Sequence, residues 1–208
     1  MTNWLDKYTT NRDKLIASHS YSPEHEHANC GVGLVASIDG APRRDVVEMS
    51  IQALKNVWHR GAVDADGKTG DGAGIRLDIP QSFFRAQVEG TGHKPTAAKI
   101  AVGMFFLPRT DFNSQETART IVETELLKEG FYIYGWRQVP IDISVIGEKA
   151  KATRPAIEQV MFRDPKGRKG NKLERELYIV RRRIEKRAIE AAIPGFYACS
   201  LSVQTIIY

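Results

Sequence analysis

Cys30-Gly31-Val32-Gly33-Leu34-Val35 is the stretch on which the reading of this chain turns. It follows Glu26-His27-Ala28-Asn29, at the end of a polar leader, residues 1–29. A cysteine opening a short apolar run behind such a leader has the form of a nucleophile uncovered by proteolysis. Cleavage between Asn29 and Cys30 places a thiol and a free α-amino group on one residue. That amine titrates near pKa ~8, whereas a lysine titrates near ~10.4. It can therefore act as a base beside the thiol at neutral pH without a histidine partner.

Outward from that point, the pattern mixes strands and helices. Gly31 to Ser37 reads as a strand, with Val32, Leu34 and Val35 apolar and glycines that allow close backbone approach. Asp39-Gly40 marks a turn. Val47, Ile51, Leu54 and Trp58 recur at helical spacing, which predicts an amphipathic helix over 43–59. A glycine- and aspartate-rich loop spans 61–74. Strands are expected over 74–79, 99–107, 131–137, 157–162, 196–200 and 203–208. Helices are expected over 4–17, 80–88, 112–128 (N-capped by Asp111) and 172–192. Leu173, Leu177, Val180, Ile184 and Ala188 fall on one side of the last helix. Without a strict strand–helix–strand rhythm, the fold class is α+β rather than a doubly wound parallel sheet.

The 208 residues fit one domain, or one domain and a tail, and 42% apolar content suits a globular core. No stretch reaches the roughly 20 apolar residues that cross a bilayer, and the N-terminus has no secretory h-region. Two cysteines, Cys30 and Cys199, build no disulfide framework. These points favour a cytoplasmic location and no membrane partner. The net charge of +5 is concentrated between Lys166 and Arg187, where ten Lys/Arg face three Glu. Such a run is usually a solvated helix face, and with Tyr178 its only aromatic it makes a poor nucleic-acid site. The apolar run Ser202 to Tyr208 alternates like a strand and then stops, which suggests a domain truncated at its C-terminus.

Three runs then point to one family: Glu26-His27-Ala28-Asn29-Cys30-Gly31-Val32-Gly33, Trp58-His59-Arg60-Gly61-Ala62-Val63-Asp64-Ala65-Asp66, and Thr69-Gly70-Asp71-Gly72-Ala73-Gly74-Ile75. Leu173 to Tyr178 and Phe196 to Ser202 fit the same pattern. The chain from about Glu24 to Tyr208 resembles the N-terminal class II glutamine amidotransferase (glutaminase) domain of the glutamate synthase large subunit. The resemblance implies an N-terminal-nucleophile (Ntn) hydrolase fold, a four-layer αββα sandwich. It implies a leader over 1–29, an amidotransferase domain over 30–208, and attack of Cys30 on the side-chain amide of L-glutamine. Ammonia leaves, a thioester forms, and water releases glutamate. In the whole enzyme the ammonia would aminate 2-oxoglutarate with FMN and an iron–sulfur cluster, in domains absent here. The partners implied are those domains and a small subunit or ferredoxin. The family's substrate-carboxylate arginine and its Asn-Gly oxyanion hole are expected beyond Tyr208, so the 208-residue chain alone should be inactive.

Each residue has a plainer reading. Free cysteines are usually small buried hydrophobes; the neighbouring runs raise Cys30 to nucleophile, while Cys199 stays a core residue of a closing strand. The resemblance places Arg60 near the nucleophile; alternatively it is a cation at a helix C-terminus. Gly61, Asp71, Gly72 and Gly74 are read as a tight turn at the pocket floor, and Gly31 as room for backbone around the nucleophile. No Gly-Lys-Ser/Thr and no Gly-x-Gly-x-x-Gly is present, which argues against phosphate or dinucleotide loops. Asp64 and Asp66 look like unpartnered surface carboxylates. His19, His25, His27 and Cys30 have zinc-type donors but lack a second cluster, so no metal site is expected. The alternative to a glutaminase is a non-catalytic fragment or interaction module with a basic helix over 166–187.

Overall fold

The structure, a computed structural model, describes residues 3–18, 31–57 and 61–208. The chain divides into two units, Met1–Gly33 and Leu34–Tyr208. The first contains α1 (Trp4–Ala17), with Asp6 in its first turn and Lys14 in its last. Both charges suit the helix dipole, and the Thr10 hydroxyl donates back to the Asp6 carbonyl at 2.8 Å.

The second unit runs α2 (Arg44–Asn56), β1 (Arg76–Asp78), α3 (Gln81–Gly90), β2 (Ala101–Leu107), α4 (Phe112–Lys128), β3 (Tyr132–Gln138), α5 (Glu148–Thr153), β4 (Ala156–Arg163), α6 (Gly170–Glu190), β5 (Tyr197–Ser202) and β6 (Thr205–Ile207). Four strands form a sheet in the order β3-β4-β2-β5, and β1 pairs with β6. Every pairing is antiparallel. This is the α+β class expected from the irregular alternation of elements.

β2 is central because nearly all of its residues can be buried on both faces. On one face Phe105 and Leu107 pack with Val160 and Phe162 of β4 against Leu126 of α4 and Leu177 and Ile184 of α6. On the other, Val102, Met104 and Met161 pack with Phe84 and Val88 of α3 and Ile206 of β6. The five apolar residues singled out on α6 are its five buried ones. Asp111 caps α4 by accepting from the Ser114 N–H at 3.0 Å, an interaction worth about 1 kcal/mol. A bulge between Ile133 and Gly135 bends β3, and Gly135 sits at φ +140°, a conformation open to glycine.

Several expectations need correction. Gly31 to Ser37 forms no strand: no described segment pairs with it, and Val32 and Leu34 are 93% and 92% exposed. A strand exists through its ladder partners, so apolar alternation without one leaves extended coil. The helix expected over 43–59 is described as far as Asn56, and none of its residues is buried. α5 had no signal, because six residues carry too little periodicity. The basic run is not simply solvated. Arg183 and Arg187 of α6 reach Glu129 and Glu125 of the α4 region at 3.2 and 2.8 Å, and Arg181 and Arg182 pair with Glu185.

Candidate active site

The glycine- and aspartate-rich loop is a small hairpin rather than loose coil. Val63 and Gly70 form an isolated antiparallel bridge. The Asp64 N–H donates to the Thr69 carbonyl at 2.7 Å, and the Asp71 N–H to the Ala62 carbonyl at 3.2 Å. The Asp71 carboxylate returns across the base, accepting from the Ala62 N–H at 2.9 Å. Asp71 thus holds the residue after Gly61 with both its backbone and its side chain. Gly70 lies where a Cβ would come 3.2 Å from the Ala62 carbonyl oxygen, so the two arms approach closely there. Gly61 and Gly72 are exposed. A Cβ at Gly72 would meet nothing within 4 Å, so the space above that backbone is open.

At the tip, Asp66 accepts from the N–H groups of Lys68 and Thr69 at 3.0 and 2.7 Å and from the Thr69 hydroxyl at 2.6 Å. The Thr69 hydroxyl, then the Thr69 N–H, hold its carboxyl well below the usual carboxylate range. Asp64 pairs with Lys149 of α5 at 2.5 Å. Neither carboxylate is therefore unpartnered, contrary to the sequence reading. The Asp66-x-x-Thr69 spacing carried a local signal for the first contact; the second joins residues too far apart in sequence for any local pattern to show.

At its far end the loop leads into β1. The Ile75 N–H donates to the Tyr208 carbonyl at 2.8 Å, and the Tyr208 N–H to the Ile75 carbonyl at 2.9 Å. The closing apolar run therefore does pair, and its partner is the strand that anchors the loop.

Cys30 and Arg60 lie outside the described residues, as do His19, His25 and His27. The structure brings Gly61, Asp71 and Gly72 together in one hairpin. Around Gly31 a Cβ would meet nothing within 4 Å, so the close packing expected there is not seen among the described residues. An open depression of about 400 Å³ lies between Ala36–Asp39 and α2, lined by Arg43, Val46 and Met49. Another, of about 530 Å³, lies between α4 and α6. Neither is lined by a residue of the hairpin, by a cysteine or by a histidine.

Cys199 is half-buried on β5, and burial pushes its thiol up, away from the reactive thiolate. Among the described residues no group of three or more His, Cys, Asp or Glu is placed to hold a metal ion. No described helix is long and apolar enough to cross a membrane.

A sequence profile of the class-II glutamine amidotransferases matches residues 30–208. Among curated proteins, the chain is 56% identical over 201 residues to the glutamate synthase [NADPH] large chain of Azospirillum brasilense, covering 97% of this chain and 13% of that protein. It is 40% identical over 185 residues to ferredoxin-dependent glutamate synthase 1, chloroplastic/mitochondrial, of Arabidopsis thaliana, covering 88% of this chain and 11% of the relative. With the glutamate synthase [NADPH] large chain of Bacillus subtilis it shares 35% identity over 193 residues, 90% of this chain and 12% of the other. The chain thus spans a small fraction of the length of the relatives it matches. With a match that begins at Cys30 and takes in the glycine-rich hairpin, β1 to β6 and all the helices between, the chain belongs to the class-II glutamine amidotransferases.

Proposed function

We propose that this chain is the glutamine-hydrolysing part of a glutamate synthase large subunit, with Cys30 as its nucleophile after removal of residues 1–29. The observation that carries this reading is that the family match starts at Cys30 itself. A shared sequence that opens on a cysteine is what would remain if maturation left that residue's thiol and amine at the start of the chain.

The steps follow from those two groups. The α-amino group of Cys30 takes the thiol proton, and the thiolate attacks the carboxamide carbon of glutamine. The protonated amine returns its proton to the departing nitrogen, which leaves as ammonia as the C–N bond breaks. A γ-glutamyl thioester remains. Water, deprotonated by the same amine, attacks it and releases glutamate and the thiol. Arg60 is assigned to orient the Cys30 thiolate or the substrate. Gly61, Asp71 and Gly72 are assigned to the pocket floor, and Gly31, beside which a Cβ would meet nothing within 4 Å, is assigned to keep the space next to the nucleophile open. The oxyanion donors and the arginine for the substrate carboxylate are assigned to polypeptide beyond Tyr208. One oxyanion donor is worth about 2.7–4 kcal/mol of barrier, so the 208 residues alone should be crippled.

The same extension would complete a four-layer sandwich. Supporting this, α2 has an apolar side with no fully buried residue, and the apolar run at Val32 and Leu34 is exposed. The ammonia would pass to other domains for reductive amination of 2-oxoglutarate, with a small subunit or ferredoxin supplying electrons in the cytoplasm. FMN and an iron–sulfur cluster would supply that electron transfer. The described residues include one cysteine, Cys199, and no metal-ligand cluster, so they do not fit the iron–sulfur group, and both cofactors are assigned to the other domains.

N-terminal sequencing and intact mass of the full-length polypeptide test this reading. Expected are a first residue of Cys30 and loss of glutamine hydrolysis in Cys30→Ala. A retained Met1 with full activity, or an active Cys30→Ala, rejects it.

A further inference from the structure

The hairpin over 61–74 is held from outside by a segment remote in sequence. α5 meets it at three points. Lys149 Nζ reaches the Asp64 carboxylate at 2.5 Å. The Lys149 backbone N–H contributes to the hydrogen bonding that stabilises the Asp66 carboxylate. Gly147, the residue before α5, lies directly against Asp66 and Thr69. A Cβ there would overlap Asp66 Oδ2 and Thr69 Oγ1 and come within 2.7 Å of the Thr69 nitrogen.

Gly147 has φ −68° and ψ 163°, a conformation any residue adopts. The glycine is therefore required for space and not for backbone freedom. Magnitudes rank the contacts. The Lys149–Asp64 pair is 69% and 34% exposed on its two side chains, and exposed pairs contribute ~0–1 kcal/mol. A methyl group forced onto a backbone nitrogen and a carboxylate already engaged in three hydrogen bonds within the hairpin has no soft route out. Either Asp66 gives up its contacts with Thr69 or α5 moves away.

We propose that Gly147, assisted by Lys149, is a positioning residue: the close seat of α5 on Asp66 and Thr69 fixes the hairpin whose base presents Gly61, Asp71 and Gly72. The proposal rests on the reading of that hairpin as the pocket floor for glutamine. Gly147 acts through the hairpin and touches no reacting atom.

The test uses Gly147→Ala and Lys149→Met in the full-length polypeptide, with two readouts. Amide hydrogen exchange over 61–74 reports the hairpin itself; Gly147→Ala should speed it about tenfold or more, and Lys149→Met less. Steady-state glutamine hydrolysis reports the pocket; Gly147→Ala should raise KM about tenfold with kcat within about twofold, the signature of lost substrate positioning. Unchanged exchange in Gly147→Ala overturns the proposal, as does faster exchange with an unaltered KM. If the parent polypeptide does not hydrolyse glutamine, the functional reading falls, and exchange alone decides whether α5 fixes the hairpin.

Discussion

Arg187 Nη1 on α6 lies 2.8 Å from Glu125 Oε1 on α4, joining the two helices that cover one face of the main sheet. The Glu125 side chain is only 6% exposed, and Lys128 also reaches it, at 3.1 Å. Burial alone pushes this carboxyl up, but the hydrogen bonds from Lys128 and Arg187 outweigh it, so it is held below its ordinary range. The basic face of α6 is thus partly the counter-charge for a carboxylate on α4.

Replacing Arg187 by methionine keeps much of the stem and removes the charge. Breaking a fully buried pair costs about 3–5 kcal/mol. Arg187 is 38% exposed and Lys128 remains, so the expected loss is smaller, about 1–2 kcal/mol. Urea unfolding of Arg187→Met against the parent protein measures it. A change below about 0.3 kcal/mol would show that Lys128 alone suffices.

The pH dependence of stability follows from the same group and from Asp164. Burial raises the Asp164 carboxyl, and hydrogen bonds from Arg168, at 2.9 and 3.0 Å from its side chain, more than reverse this. Both carboxyls titrate lower in the folded chain than in the unfolded one, where values near ~3.9–4.3 apply. The unfolded state then binds more protons as acid is added. The stabilisation is fully present above those unfolded values and is lost as pH falls through the lower folded ones. Thermal melting should be flat from pH 7 to about 5 and decline toward pH 3. The double variant Glu125→Gln/Asp164→Asn should melt lower at pH 7 and show a shallower decline. An equally steep acid decline in that variant would reject the assignment.

Gly103 on β2 offers a steric test of the core. A Cβ there would lie 2.6 Å from Phe105 Cε2, 2.9 Å from Leu201 Cδ1 and 2.9 Å from Val160 Cγ1. All three neighbours are buried, so none has open space to move into. Overpacking of this kind costs about 1–3 kcal/mol, more than the 0.4–1 kcal/mol or so gained by restricting the unfolded chain. Gly103→Ala should therefore destabilise. Gly90→Ala, at the end of α3 where a Cβ meets nothing within 4 Å, should be neutral or slightly stabilising. The reverse order in denaturant unfolding would contradict the packing described for β2.

The contrast between Leu177 and Val32 explains what the sequence made legible. Leu177 belongs to a helical series over α6, and all of that series is buried. Period and length together specify a helix and its inner face. Val32 sits in an equally apolar alternation but is 93% exposed. A strand needs a partner, and local spacing cannot supply one. The hairpin divides the same way. Asp66 and Thr69 are three residues apart, and their contact follows from local chemistry. Asp64–Lys149 and the seat of Gly147 depend on the path of the chain through α3, β2, α4 and β3. The resemblance pointed to Cys30, Arg60 and Asp71 by motif; the first two lie outside the described residues, and the place of Asp71 at the base of the hairpin emerged from the Ala62 hydrogen bond.

That hydrogen bond gives the last prediction. Asp71 is exposed, so losing its side chain removes no core packing. What is lost is the 2.9 Å contact to the Ala62 N–H, on the residue following Gly61. Asp71→Ala should leave global stability within about 0.5 kcal/mol, as for surface positions generally. Glutamine hydrolysis by the full-length polypeptide should nevertheless fall about tenfold in kcat/KM, because the base of the hairpin is no longer fixed where the pocket needs it. Asp71→Asn retains a carbonyl oxygen for the Ala62 N–H and should recover most of that loss. If Asn behaves like Ala, the negative charge itself matters, and Asp71 acts on substrate or nucleophile instead of on Ala62. If neither variant changes kcat/KM, the base of the hairpin does not shape the pocket.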